Sequence, residues 1–154
     1  MKLLLSGRIR FTRLPFDCAV IVVDENIHSR QVLTSIAEWY RGRVVSMTQL
    51  RPGSVIHDDA IPALLLLQRQ PTFVTTNVDD FWQVVQPHSA YCIVCVNLPR
   101  ERNSRVATEL RQILTRPEFR SKVLRMGKII RSSTHGVLYY RSERAGEGDS
   151  LMTK

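Results

Sequence analysis

The run Cys18-Ala-Val-Ile-Val-Val23 constrains the fold more than any other part of this chain. It is apolar at every position, so no polar alternation assigns it a wet face. Strands buried on both faces read this way, in mainly parallel sheets covered by helices on either side. The run stops at Asp24-Glu25. A second strand-like run, Thr72-Phe-Val-Thr75, leads to Asp79-Asp80, and a third doublet, Asp58-Asp59, opens the apolar helical run Ala60 to Leu67. Ligands of an open α/β sheet bind outside the carboxyl ends of its strands. Three carboxylate sites converging there would repel one another unless a cation sat between them.

Patterning along the chain supports that architecture. Arg8 to Thr12 alternates and suits an edge strand or arm, which Pro15 ends before the strand at Ala19 to Val23. Leu33, Ile36, Ala37 and Tyr40 recur at helical spacing and predict an amphipathic helix over Ser29 to Tyr40, with Gly42 as its stop. A short strand follows at Arg43 to Met47, then a loop from Leu50 to His57. Asp58 or Asp59 is expected to cap the next helix, with Pro62 in its first turn. Strands are expected at Thr72 to Thr76 and Tyr91 to Val96, with Asp79-Asp80 readable as turn chemistry between them. A helix should span Glu101 to Arg116, and Pro117 should start another. Gly127 to Ser132 and Gly136 to Arg141 alternate like a terminal hairpin. The expectation is a single α/β domain over residues 1–141, with a mainly parallel central sheet flanked by helices and a C-terminal hairpin. Residues 1–17 would form the edge strand or arm, and 142–154 a disordered tail. Right-handed crossovers would place the ends of the first and third strands together.

Six of the fourteen acidic residues lie in the three doublets, yet the formal charge is +8. Between Leu98 and Arg141 stand eleven Lys/Arg against three Glu, so 11 − 3 = +8 and this segment equals the whole excess. A localised basic surface is the footprint of a polyanion partner. No run approaches the roughly 20 apolar residues of a membrane span, and Met1 to Leu5 is too short for a signal-peptide core. The expected setting is cytoplasmic, with no membrane partner. Cys92 and Cys95 sit three apart on a strand and therefore face opposite ways, which predicts buried, inert thiols. The four histidines show no metal-ligand spacing. Trp39, Tyr40, Phe81 and Trp82 read as core or core-edge residues, and one of Tyr139 and Tyr140 should face outward.

Three local patterns together resemble a family. Val23-Asp24-Glu25-Asn26-Ile27 looks like the first-strand motif of PIN-domain nucleases, and Asp59-Ala60-Ile61-Pro62-Ala63 is similar to their acidic helix start. Thr75-Thr76-Asn77-Val78-Asp79-Asp80-Phe81 resembles the Thr-Arg-Asn-Val-x-Asp-Phe signature of VapC-type toxin ribonucleases. The resemblance covers Ala19 to Val96 and implies a compact PIN-like fold. It implies Asp24, Asp59 and Asp80 as catalytic carboxylates around Mg²⁺ or Mn²⁺, supported by Glu25, Asp58, Thr75, Asn77 and Asp79. Metal-dependent hydrolysis of RNA follows from it, with Arg100, Arg102 and Arg105 on the flanking phosphates. An antitoxin protein is the implied partner, and pairing of the Met1 to Thr12 arm with a second copy would give a homodimer. The sequence departs from the family in one respect. Between Asp24 and Asp59 the acids are Glu25, Glu38 and Asp58, none at the position of the family's further mid-chain acid.

Two other readings use the same residues. A PIN-like fold that grips RNA or protein without cleaving would need the basic surface but not the metal. Val22 to Asn26, continuing to Leu33, is also similar to the start of a response-regulator receiver domain, where paired acids bind Mg²⁺ beside a phosphorylated aspartate closing the third strand. Here that strand closes on Val74-Thr-Thr-Asn77.

Overall fold

The computed structural model describes residues 19–27 and 29–142. The expected arm, its role in dimerisation, and the tail beyond Ser142 lie outside the described residues. Ser142 itself is held, its N–H donating to the Gly127 carbonyl at 3.1 Å.

Six strands alternate with helices: β1 (Ile21–Val23), α1 (Arg30–Trp39), β2 (Val44–Ser46), α2 (Met47–Leu50), α3 (Ile61–Leu66), β3 (Thr72–Thr75), α4 (Val78–Phe81), β4 (Cys92–Cys95), α5 (Val106–Leu114), α6 (Lys122–Arg125), β5 (Lys128–Ser133) and β6 (Gly136–Arg141). They form one sheet in the order β2-β1-β3-β4-β5-β6. The first five strands run parallel, and β6 is antiparallel to β5. The coarse α/β architecture with a mainly parallel sheet is therefore as the patterning indicated.

The unbroken apolar runs divide residue by residue between two cores. Ile21, Val23, Val74, Val94 and Ile130 pack beneath α1 and α5. Val22, Phe73, Ile93, Cys95 and Ile129 pack with Ile61, Leu65 and Phe81 on the other face. Side chains alternate across a strand, so a strand wet on neither side must be apolar at every position. Cys92 and Cys95 fall in opposite cores, and burial pushes both thiols up to about 12.

These face assignments fix the relative hand of the connections. The β1–β2 connection moves outward over one face through α1, and the β2–β3 and β3–β4 connections move the other way over the opposite face. The β4–β5 connection also moves that way but carries α5 over the α1 face, so its hand is opposite to the other three. Uniformly right-handed crossovers, as expected from the sequence, would have placed it on the far face. The exception packs α5 against α1 and brings the segment after β4 beside the segment after β1.

Local differences have local causes. The backbone after β2 enters α2 through a capping box, in which Ser46 Oγ accepts from Gln49 N–H while the Gln49 side chain accepts from Ser46 N–H. The α1 helix stops at Tyr40, whose backbone is extended, rather than at Gly42. Gly42 is required by space, because a Cβ there would run into the Ala19 carbonyl oxygen. Ala37 is exposed, and Val32 takes its expected place in the core. The expected helix from Glu101 begins as a 3₁₀ turn, Arg100–Arg105, before α5. Ser121, rather than Pro117, caps α6.

At the amino-terminal edge of the sheet, Arg125 is 3% exposed and holds three elements together. Its Nε donates to Thr72 Oγ1 at 2.8 Å, Nη1 to the Phe119 carbonyl at 3.3 Å, and Nη2 to Tyr40 Oη at 3.3 Å. Tyr40 passes the bond on to the Ala19 carbonyl at 2.7 Å. Arg125→Ala leaves those acceptors unpaired and opens a cavity, at a cost of about 3 kcal/mol. A urea titration should show the corresponding drop in midpoint without a change of slope.

Candidate active site at the carboxyl edge of the sheet

In this strand order the chain changes direction between β1 and β3, and doubly wound sheets bind ligands in the crevice outside such a switch point. Asp24 follows β1 directly. Its N–H donates to the Val74 carbonyl at 2.9 Å, which continues the ladder with β3 by one residue. Its carboxylate turns inward, and only 4% of the residue is exposed. Thr75, the last residue of β3, donates its hydroxyl to Asp24 Oδ2 at 2.6 Å and accepts from Asn77 N–H at 2.9 Å. One hydroxyl thus fixes the acid and shapes the loop that follows β3.

That loop aims the Asn77 amide at two carboxylates. Its Nδ2 donates to Asp80 Oδ2 at 2.5 Å and to Asp58 Oδ2 at 3.1 Å. The amide has two hydrogens and serves one acid with each. Asp80 belongs to α4, in a position the sequence left readable as turn chemistry. Asp58 opens the 3₁₀ turn Asp58–Ala60, and no side chain caps either that turn or α3. The expected capping role of Asp58 or Asp59 is therefore not the one observed. Asp58 reaches across to the loop after β3 instead.

Electrostatics single out Asp24 and Asp58. Burial raises the Asp24 carboxyl above its ordinary 3.8, while bonds from Thr75 and the Glu25 and Asn26 backbone pull the other way and the Glu25 charge adds to the rise. Burial likewise raises Asp58, and a hydrogen-bond interaction with Asp80 and the charges of Asp24, Asp80 and Asp59 raise it further. Like charges in one place disfavour joint ionisation. Asp58, Asp59 and Asp80 also line a cleft of about 620 Å³, walled by Pro62, Val84, Val85, Gln86 and Tyr91. A cleft of that size suits a ligand-sized group.

The structure thus brings together Asp58, Asp80 and Asn77, with Asp24 and Thr75 behind them. Asp59 is exposed on the cleft wall, and Asp79 is exposed one residue before Asp80. Among the described residues no set of three His, Cys, Asp or Glu is disposed as a metal-ligand group. The acids fit a less demanding arrangement, since Mg²⁺ commonly uses one or two carboxylates and keeps several waters. Asp58 and Asp80 supply two such carboxylates, and Asp24 adds charge from behind.

Arg100, Arg102 and Arg105 lie exposed on the 3₁₀ turn after β4. Asn103 from that turn donates to the Asn26 carbonyl at 3.1 Å, which seats the turn against the segment after β1. Arg105 is paired with Glu109 at 3.3 Å. Pattern reading missed the cleft wall itself. Tyr140 Oη accepts from Gln83 N–H at 3.1 Å and donates to the Val85 carbonyl at 2.9 Å, holding the turn that carries Val84 to Gln86. No local motif announces a bond spanning more than fifty positions.

Compared with known proteins, the chain matches no family model, no curated protein and no solved structure.

Asp24 and Asp58 ionise less readily folded than unfolded. Their contribution favours the fold below 3.8 and is lost as pH rises through their raised folded-state range. In EDTA at pH 7, Asp58→Asn should therefore melt above wild type, and the gap should close near pH 3.

Proposed function

We propose that this chain is a metal-dependent ribonuclease of compact PIN-like type, cutting RNA at the carboxyl edge of β1 and β3. The observation that carries the reading is the cluster of Asp58 and Asp80 on one amide, backed by buried Asp24, at the switch point of the sheet. Carboxylates held this close are stabilised together by a hard divalent cation, and Mg²⁺ or Mn²⁺ is the cofactor this donor set suits. When bound, the cation supplies an activated water and offsets charge on the phosphate.

The protein's own groups do the rest. Asp58 and Asp80 hold the cation, and Asn77 fixes their spacing by donating to both. Thr75 holds Asp24, and Asp24 fixes the local charge. Arg100 and Arg102 stand on the rim, where flexible cations bind phosphates flanking the cleaved bond. Asp59 borders the cleft and takes part in holding the ion or its waters. An antitoxin, if the chain is paired with one, would be an acidic or extended peptide covering this surface.

The strand order favours one other reading, because receiver-type doubly wound sheets use it as well. A receiver needs a carboxylate where β3 ends, and Thr75 stands there with its hydroxyl committed to Asp24. Lys128 opens β5 at the opposite edge, away from the acids. The residues thus favour hydrolysis over phosphoacceptance.

A mixed pool of structured RNA, incubated with Mn²⁺, Mg²⁺ or EDTA, tests the proposal. Wild type should cleave with either metal and not in EDTA, and Asp24→Asn and Asp58→Asn should each lose roughly 100-fold or more of the rate. RNA that is bound but left intact under all three conditions would make the chain a binding module instead.

A further inference from the structure

One cation at the carboxyl edge stands on an aromatic ring but has no hydrogen-bond or ion-pair partner among the described residues. Arg131 lies on β5, where register places it beside Cys95, which in turn lies beside Thr75. Asp24 is level with Thr75 through their side-chain bond. Asp24, Thr75, Cys95 and Arg131 therefore form one row across four neighbouring strands, on the face that carries α3 and α4. With strands about 4.8 Å apart, the row spans roughly 14 Å. The acids and the guanidinium occupy its two ends.

Arg131 is held in place without being neutralised. Its Cζ lies 5.8 Å from the centre of the Trp82 ring, and Trp82 meets Tyr140 edge-on with centroids 5.0 Å apart. Tyr140 also fixes the Gln83 to Val85 turn, so the same aromatic pair supports Arg131 and one wall of the acidic cleft. Arg131 makes no hydrogen bond or ion pair among the described residues, and its Nε is shielded from water with no acceptor. A shielded donor without an acceptor is costly and is uncommon in a settled fold. Arg105, by contrast, is already paired with Glu109.

We infer that Arg131, backed by Trp82, is a substrate-positioning residue that binds a backbone phosphate of single-stranded RNA at the aromatic-supported wall of the cleft lined by Asp58 and Asp80. This rests on the ribonuclease reading above and names a contact for it. A guanidinium held over an indole ring presents its donors as a planar fork, which matches phosphate oxygens, and aromatic support suits a flexible single strand. The net charge of +8 provides the long-range attraction, and Arg131 provides a fixed point.

Binding of a fluorescein-labelled single-stranded RNA 12-mer, followed by anisotropy in EDTA across a KCl series, tests this apart from cleavage. Arg131→Gln and Arg131→Met should each weaken binding about 10-fold at low salt, and lower the slope of log affinity against log salt by about 0.7, the loss of one phosphate contact. Arg131→Lys, which keeps a point charge but not the fork, should restore the slope and only part of the affinity. Since the Arg131 guanidinium has no hydrogen bond or ion pair among the described residues to lose, only the Trp82 ring contact, all three variants should stay folded with urea midpoints near wild type. Wild-type affinity and slope in Arg131→Gln and Arg131→Met, or no binding of the RNA by wild type, would overturn the assignment. Arg131-dependent binding without cleavage in Mn²⁺ would leave the subsite standing and remove the ribonuclease reading alone.

Discussion

Ile21, Val22 and Val23 reach zero exposure because β1 is flanked on both edges and covered on both faces. Each buried side chain of this kind contributes about 1.5–3 kcal/mol relative to exposure. Most of the architecture follows from that burial. A strand covered on both faces needs helices on both sides, so the connections leaving β1 and β2 depart over opposite faces. Where they separate, β1 and β3 lie side by side with a crevice beyond their ends. Asp24 is drawn into the crevice because the ladder with β3 runs one residue past β1, and Thr75 is the neighbour whose hydroxyl meets it.

Charge is partitioned by this geometry. Carboxylates gather at the carboxyl edge, Asp58 and Asp80 around one amide; burial raises Asp24 and Asp58, and neighbouring charges raise Asp58 further. Arginines border that edge on the turn after β4 and on β5. At the opposite edge Arg125 is buried among neutral acceptors and joins α6 to β3 and to the end of α1. The two arginine environments do different work: Arg125 is satisfied by the fold, and Arg131 is supported by the fold but not satisfied. No helix among the described residues is long and apolar enough to cross a membrane.

The strands and the acidic doublets were legible because both rest on local chemistry. Unbroken apolar runs mark β1 and β4, and the doublets following β1 and β3 mark the edge at which open α/β sheets bind ligands. The parts that were not legible depend on long-range contacts. Whether Asp58 or Asp59 turns toward the loop after β3 is decided by Asn77, nineteen positions away from Asp58. Capping preference alone suggested a plainer role for either residue. The opposite hand of the β4–β5 connection has no signature in a run of residues such as Val106 to Leu114, whose apolar stripe is the same over either face. Arg131 was legible only as part of a charge total. Its interruption of the apolar pair Ile129-Ile130 acquires meaning once register sets it in line with Asp24.

In the proposed function Asp58 and Asp80, backed by Asp24, form a site for a divalent cation. Calorimetric titration of Mn²⁺ at pH 7 tests this. Mn²⁺ should bind wild type and fail to bind Asp58→Asn and Asp80→Asn. Binding that is unchanged in both variants, or no binding by wild type, would contradict it.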